Sequence, residues 1–132
     1  MTSKFLIDTS YGLNAELNIK TTLEAKFGPL VGTNKYDLFD FRNEKYIIEV
    51  KTRRINHNRY NSQVFGYNKF LEGLKQIKEG LTPVFVFNCT DGIYYWILDE
   101  KTGYRSYGNR SDRGKIEHQK WYNIPIKDLT AL

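Results

Sequence analysis

Apolar residues at Leu13, Leu17, Leu23 and Phe27 predict an amphipathic helix over 12–27, and Gly28-Pro29 ends it. Residues 30–33 read as a short strand or a turn. Two short strands over about 36–52, joined by the turn Arg42-Asn-Glu44, predict a hairpin, followed by a polar loop over 53–61. A second helix is predicted from Ser62 to Glu79, with Phe70, Leu74, Ile77 and Leu81 along its stripe and Gly80 as its stop. Pro83 then opens a buried strand, Val84-Phe-Val-Phe87, and Asp91-Gly92 turns the chain into a strand over 93–98. Residues 103–120 show little apolar periodicity and read as irregular. Trp121 to Ile126 reads as an edge strand, because Pro125 would remove a ladder bond from a central one. The order of elements predicts one α/β or α+β domain over 1–132, with a core over about 12–98 and an irregular basic tail over 99–132.

Within the hairpin, polar residues interrupt the apolar run at two places that alternation puts on one face. Glu49 and Lys51 point one way, Ile48 and Val50 the other. An acid and a lysine on the face of an otherwise apolar strand are costly to bury without partners. Asp37 opens the first strand twelve residues before Glu49, and a tight hairpin brings the two carboxylates together. Two hard oxygen donors, with the Val50 carbonyl as a third, suit Mg²⁺ beside a substrate phosphate. Lys51 would then stabilise charge on that phosphate. The competing reading of the same residues is a solvated hairpin with a cross-strand ion pair.

Composition changes this picture only modestly. Apolar residues make up 40% of the 132 positions and charged ones 27%, which suits a soluble globular chain. No run approaches the roughly 18 to 20 apolar residues of a membrane span, and the N-terminal apolar run is too short for a signal peptide. Cys89 is the single cysteine, which excludes an internal disulfide or a cysteine zinc cluster and points to a reducing cytoplasm. The formal charge of +5 is compatible with a polyanionic partner. No Walker loop, zinc spacing or Ser/His/Asp grouping is visible, and His57 and His118 lie in polar stretches.

The tripeptide Glu49-Val50-Lys51, with Asp37 before it, resembles the core of the PD-(D/E)xK nuclease superfamily, which includes restriction enzymes, Holliday-junction resolvases and RecB-like exonucleases. Tyr36 stands where that superfamily often has proline. The resemblance implies a restriction-endonuclease-like core, a central mixed sheet flanked by helices. It also implies a Mg²⁺-dependent deoxyribonuclease in which Mn²⁺ substitutes. In that superfamily an acid often comes from the preceding helix; Gly12-Leu-Asn-Ala-Glu16 resembles the helix opening of archaeal resolvases and makes Glu16 the candidate, with Glu24 as its competitor. Asp40 competes with Asp37, but it precedes Glu49 by only nine residues, and Asp37 is preferred. Gln63-Val-Phe-Gly-Tyr67 resembles the Gln-xxx-Tyr motif of the RecB and phage-exonuclease branch, and one helical turn would put Gln63 and Tyr67 on one face. Gln63 would contact the reacting phosphate, and Tyr67 a phosphate or Lys51.

Arg53, Arg54 and Arg59 directly follow the tripeptide strand and are candidates for flanking a nucleic-acid backbone. Further basic residues and Tyr104 and Tyr107 are scattered through the tail. The short chain, without an added recognition domain, points to limited sequence specificity or to reliance on a homo-oligomer or partner. The scale resembles viral and phage enzymes, which would act in the host cytoplasm. Two other readings use the same residues: a catalytically silent nucleic-acid-binding module of the same fold, and an assembly protein whose aromatic strands pack on another subunit.

Overall fold

The computed structural model describes residues 19–34, 37–110 and 117–132, with the side chains of 109, 110, 117 and 118 left out of the description. It divides into two compact units, Met1–Val31 and Gly32–Leu132. In the first, α1 covers 19–27 and buries Ile19, Leu23 and Phe27, spaced four apart along one stripe. Gly28, at φ 89°, donates from its N–H to the Glu24 carbonyl at 2.9 Å and ends the helix. The Glu24 carboxylate is spent locally, accepting from the Leu30 N–H at 2.9 Å.

The second unit is built on a sheet whose order is β1-β2-β3-β5-β6-β9, reaching out to Gly32 of β1. Its strands are β1 (Val31–Gly32, of which Gly32 belongs to this unit), β2 (Phe41–Arg42), β3 (Tyr46–Thr52), β5 (Thr82–Cys89), β6 (Gly92–Ile97) and β9 (Thr130–Ala131). β2 runs antiparallel to β3 through a turn in which Asn43 Oδ1 accepts from the N–H groups of Lys45 and Tyr46. β3 and β5 are parallel, with Glu49 opposite Phe85 and Lys51 opposite Phe87. Val84, Phe85, Val86 and Phe87 are all fully buried, as expected of a strand covered on both faces.

A parallel pair needs a crossover, and here it contains β4 (Ser62–Gly66) and α2 (Tyr67–Lys78). The helix expected from Ser62 thus begins five residues later. In 62–66 burial alternates, with Gln63 and Phe65 inside, and the segment pairs antiparallel with β8 (Glu117–Pro125). α2 packs on β5 and β8. Phe70 and Gly73 are its buried residues, whereas Ile77, expected on the apolar stripe, is 44% exposed. At Gly73 an added Cβ would lie 2.5 Å from Leu98 Cδ1, so the helix approaches this wall closely. Gly80, at φ 92°, ends the helix: its N–H bonds the Ile77 carbonyl and that of Leu81 bonds the Gln76 carbonyl.

The tail is more regular than its composition suggests. β7 (Tyr104–Arg110) pairs with β8 over its whole length, giving a second sheet of order β4-β8-β7. β8 is therefore central rather than an edge. Pro125 is tolerated because it is the last residue of β8, two positions beyond the point where β7 pairs with it, Tyr104 opposite Asn123. Buried Asn123 is satisfied by the Tyr104 carbonyl and Ser106 Oγ.

The sheets meet through aromatic rings. Phe65 of β4 stacks on Phe85 of β5 at 4.0 Å, and Tyr122 of β8 stacks on Phe70 of α2 at the same separation. This is the α+β core with a mixed central sheet that the resemblance implies.

Candidate active site

Glu49 is a buried acid of the central sheet. It sits mid-strand on β3, 4% exposed, on the face that Phe85 and Phe87 share. Two ammonium groups meet its carboxylate. Lys51 Nζ lies 3.3 Å from Oε1, and Lys69 Nζ lies 3.3 Å from Oε2. Lys69, in the first turn of α2, also donates to the Leu38 carbonyl. Burial pushes the Glu49 carboxyl above its usual range and neighbouring Asp40 pushes it further, against the opposing pull of Lys69 and Lys51.

Asp40, not Asp37, is the acid beside Glu49. The β2–β3 pairing sets Phe41 opposite Ile48, and the Asp40 N–H continues it by bonding the Ile48 carbonyl at 2.9 Å. Asp40 Oδ2 accepts from the Val50 N–H at 2.8 Å. A strand residue presents its N–H and C=O to the same edge, so the Val50 carbonyl leaves β3 on the Asp40 side. Asp37 is exposed and turns back locally: its Oδ2 accepts from the Asn34 N–H, and its own N–H bonds the Asn34 carbonyl, both at 3.1 Å.

Asp40, Glu49 and the Val50 carbonyl form a set of hard oxygens of the kind that suits a small divalent cation. The donor set fits, with two carboxylates to balance the charge and two lysines adjoining it. Among the described residues no three His, Cys, Asp or Glu side chains gather as a metal cluster. Glu16 lies outside the described residues.

The other expected residues are distributed as follows. Gln63 is buried on β4 and donates from Nε2 to the His57 carbonyl at 2.9 Å. It thus braces the 53–61 loop, and since Gln63 belongs to a strand it does not share a helical face with Tyr67. Tyr67, the first residue of α2, packs its ring against Phe70 and Tyr122, with the Arg105 guanidinium 5.6 Å from its centroid. Arg53 is half-buried and donates to the Val64 carbonyl of β4 at 2.5 Å; burial pulls its guanidinium below the usual value. Arg54 and Arg59 are exposed.

Two features were not foreseen. Lys69 occupies a polar position of α2, and its sequence signal is only its place two residues after Tyr67. His57 is tied to the turn after β5: Nδ1 contacts Asp91 Oδ2 at 2.5 Å, and its ring stacks on Tyr94 at 4.0 Å. Partial burial pushes the Asp91 carboxyl up, but its contacts with the His57 ring and N–H outweigh this and hold it below the usual range.

A buried acid-x-lysine strand, a second acid just before the neighbouring strand β2 and a mixed sheet define a nuclease core of the PD-(D/E)xK type. Residues 7–132 match the family described as "Phage putative PDDEXK endonuclease", and the chain belongs to that family. The match takes in the β7–β8 segment as well as the core. No match was found among curated proteins or solved structures.

Proposed function

We propose that this protein is a divalent-metal-dependent endonuclease that hydrolyses phosphodiester bonds in DNA, with Mg²⁺ as the ordinary ion and Mn²⁺ as a substitute. The observation that carries this reading is the Glu49 carboxylate, buried beside Asp40 and met by two lysines. Asp40, Glu49 and the Val50 carbonyl would hold the ion. When bound, such an ion polarises a phosphoryl oxygen and lowers the pKa of a coordinated water.

The chain's own groups supply the rest. Lys51 and Lys69 favour the charged form of Glu49, against the opposing push of burial and Asp40. A phosphate drawn to the site gives both ammonium groups a second anion to meet, so charge building on its oxygens is stabilised in place. Gln63 contributes by bonding the His57 carbonyl of the 53–61 loop, and Arg54 and Arg59 offer cations to the flanking backbone. The lone thiol, Cys89, is buried and unpaired, in keeping with action in a reducing cytoplasm.

The test is cleavage of plasmid, linear, single-stranded and branched DNA by the purified protein with Mg²⁺ or Mn²⁺. Cutting that stops on chelation and is lost in Glu49→Ala supports the reading. Undiminished cutting by folded Glu49→Ala contradicts it. Tight binding with no cutting by the wild type on any substrate would instead identify a catalytically silent module.

A further inference from the structure

The hairpin of β7 and β8 carries a second surface, and its register says which residues belong to it. Arg105 stands opposite Tyr122, and Tyr107 stands opposite Lys120. Paired residues share a face, and alternation adds Arg105 to Tyr107. This face is continuous with the core: Tyr122, opposite Phe65 on β4, is buried against Phe70. Beyond Tyr122 the face leaves the core and becomes open. Tyr107 is 69% exposed, and Arg105 and Lys120 are exposed too. Tyr104 has the opposite orientation, with Ser106 and Asn123.

The open face and the candidate active site both border the first turn of α2. Arg105 lies over the ring of Tyr67, and Lys69 two residues later holds Glu49. Both belong to the first turn of α2, which has no acidic residue. A helix is about 10–12 Å across with its side chains, so a strand leaving Glu49 and Lys51 reaches Arg105 by crossing that single turn. The described side chains of β7 and β8 include no acid.

We propose that Arg105, Tyr107 and Lys120 form a binding surface for an unpaired nucleic-acid strand, the two cations meeting phosphates and the Tyr107 ring stacking on a base. An exposed aromatic ring between cations is the arrangement that holds single strands with little regard to sequence, because every base offers a π-face. The inference rests on the nuclease reading for the identity of the ligand and adds to it a preference for unpaired DNA.

Fluorescence anisotropy with a labelled oligothymidylate and a labelled duplex of equal length, in EDTA to prevent cutting, tests it. Tyr107→Ala should weaken single-strand binding about tenfold, in line with the loss of one stacked base, and Tyr107→Phe should restore it. Duplex binding should change much less. Arg105→Ala and Lys120→Ala should each lower the salt slope by about 0.7 on the single strand, as expected for one phosphate contact. Tyr104→Ala should bind as the wild type does. Unchanged single-strand binding by folded Tyr107→Ala, or an equal loss in Tyr104→Ala, overturns the surface while leaving the nuclease reading intact. A wild type that binds neither oligonucleotide overturns both.

Discussion

Lys69 Nζ lies 3.3 Å from Glu49 Oε2, tying the first turn of α2 to the middle of β3. The same ammonium bonds the Leu38 carbonyl, just upstream of Asp40, so one side chain joins the helix, the strand and the acid-bearing segment. Lys69→Met leaves a buried carboxylate with one cation fewer and should cost about 1–3 kcal/mol. In a double-mutant cycle with Glu49→Gln, thermal or denaturant unfolding should give a coupling of about 0.5–3 kcal/mol. Strict additivity would mean the pair is not energetically joined.

The raised Glu49 carboxyl gives a pH test with a definite sign. A carboxyl whose folded pKa lies above its unfolded value near 4.5 favours folding in its protonated form. That contribution is complete below the unfolded pKa and is lost as pH rises through the folded one. Glu49→Gln removes the titration. In metal-free buffer its melting temperature relative to wild type should therefore increase between pH 4 and pH 8. A difference that is constant, or falls with pH, would contradict the burial argument.

Asp40 and Asp37 separate cleanly by substitution. Asp40→Asn should weaken Mn²⁺ binding by about tenfold or more in calorimetry and reduce cutting at least in proportion, because it removes a hard anionic oxygen beside Glu49. Asp37→Asn should leave both close to wild type, since that carboxylate accepts from the Asn34 N–H. The reverse pattern would reassign the acid to Asp37.

These two aspartates also show how far the sequence could be read. The strand bearing Glu49, Val50 and Lys51, its buried parallel neighbour and the turn before β6 are local, alternating and apolar, and were legible. Choosing between Asp37 and Asp40 required the β2–β3 register, which a twelve- or nine-residue spacing does not set. β4 read as helix because its partner, β8, lies about sixty residues downstream, and Gln63 and Tyr67, four apart, suit one helical face. The β7–β8 hairpin was hidden because Gly, Ser, Arg and Tyr alternate without an apolar period. Among the described residues its buried apolar side chains are Tyr122 and Ile124 of β8.

The arginines after β3 should fall into two classes. Arg53 clips the end of β3 to β4 through Val64, so Arg53→Ala should lower stability by about 1.5–3 kcal/mol, the range for a charged hydrogen bond. Arg54→Glu and Arg59→Glu should leave the melting temperature within a degree or so, and each should lower the salt slope on duplex DNA by about 0.9. Equal destabilisation by all three would remove this division.

The most direct measurement is the position of a metal ion. Crystals grown or soaked with Mn²⁺ should show an anomalous peak between Asp40 and Glu49, with the carboxylate oxygens and the Val50 carbonyl at about 2.1–2.2 Å. Lys69 or Lys51 should give up its contact with Glu49 as the ion takes its place. A well-ordered crystal at saturating Mn²⁺ that shows no ion there, or one held by other residues, would contradict the assignment of Glu49 and Asp40 as the catalytic centre.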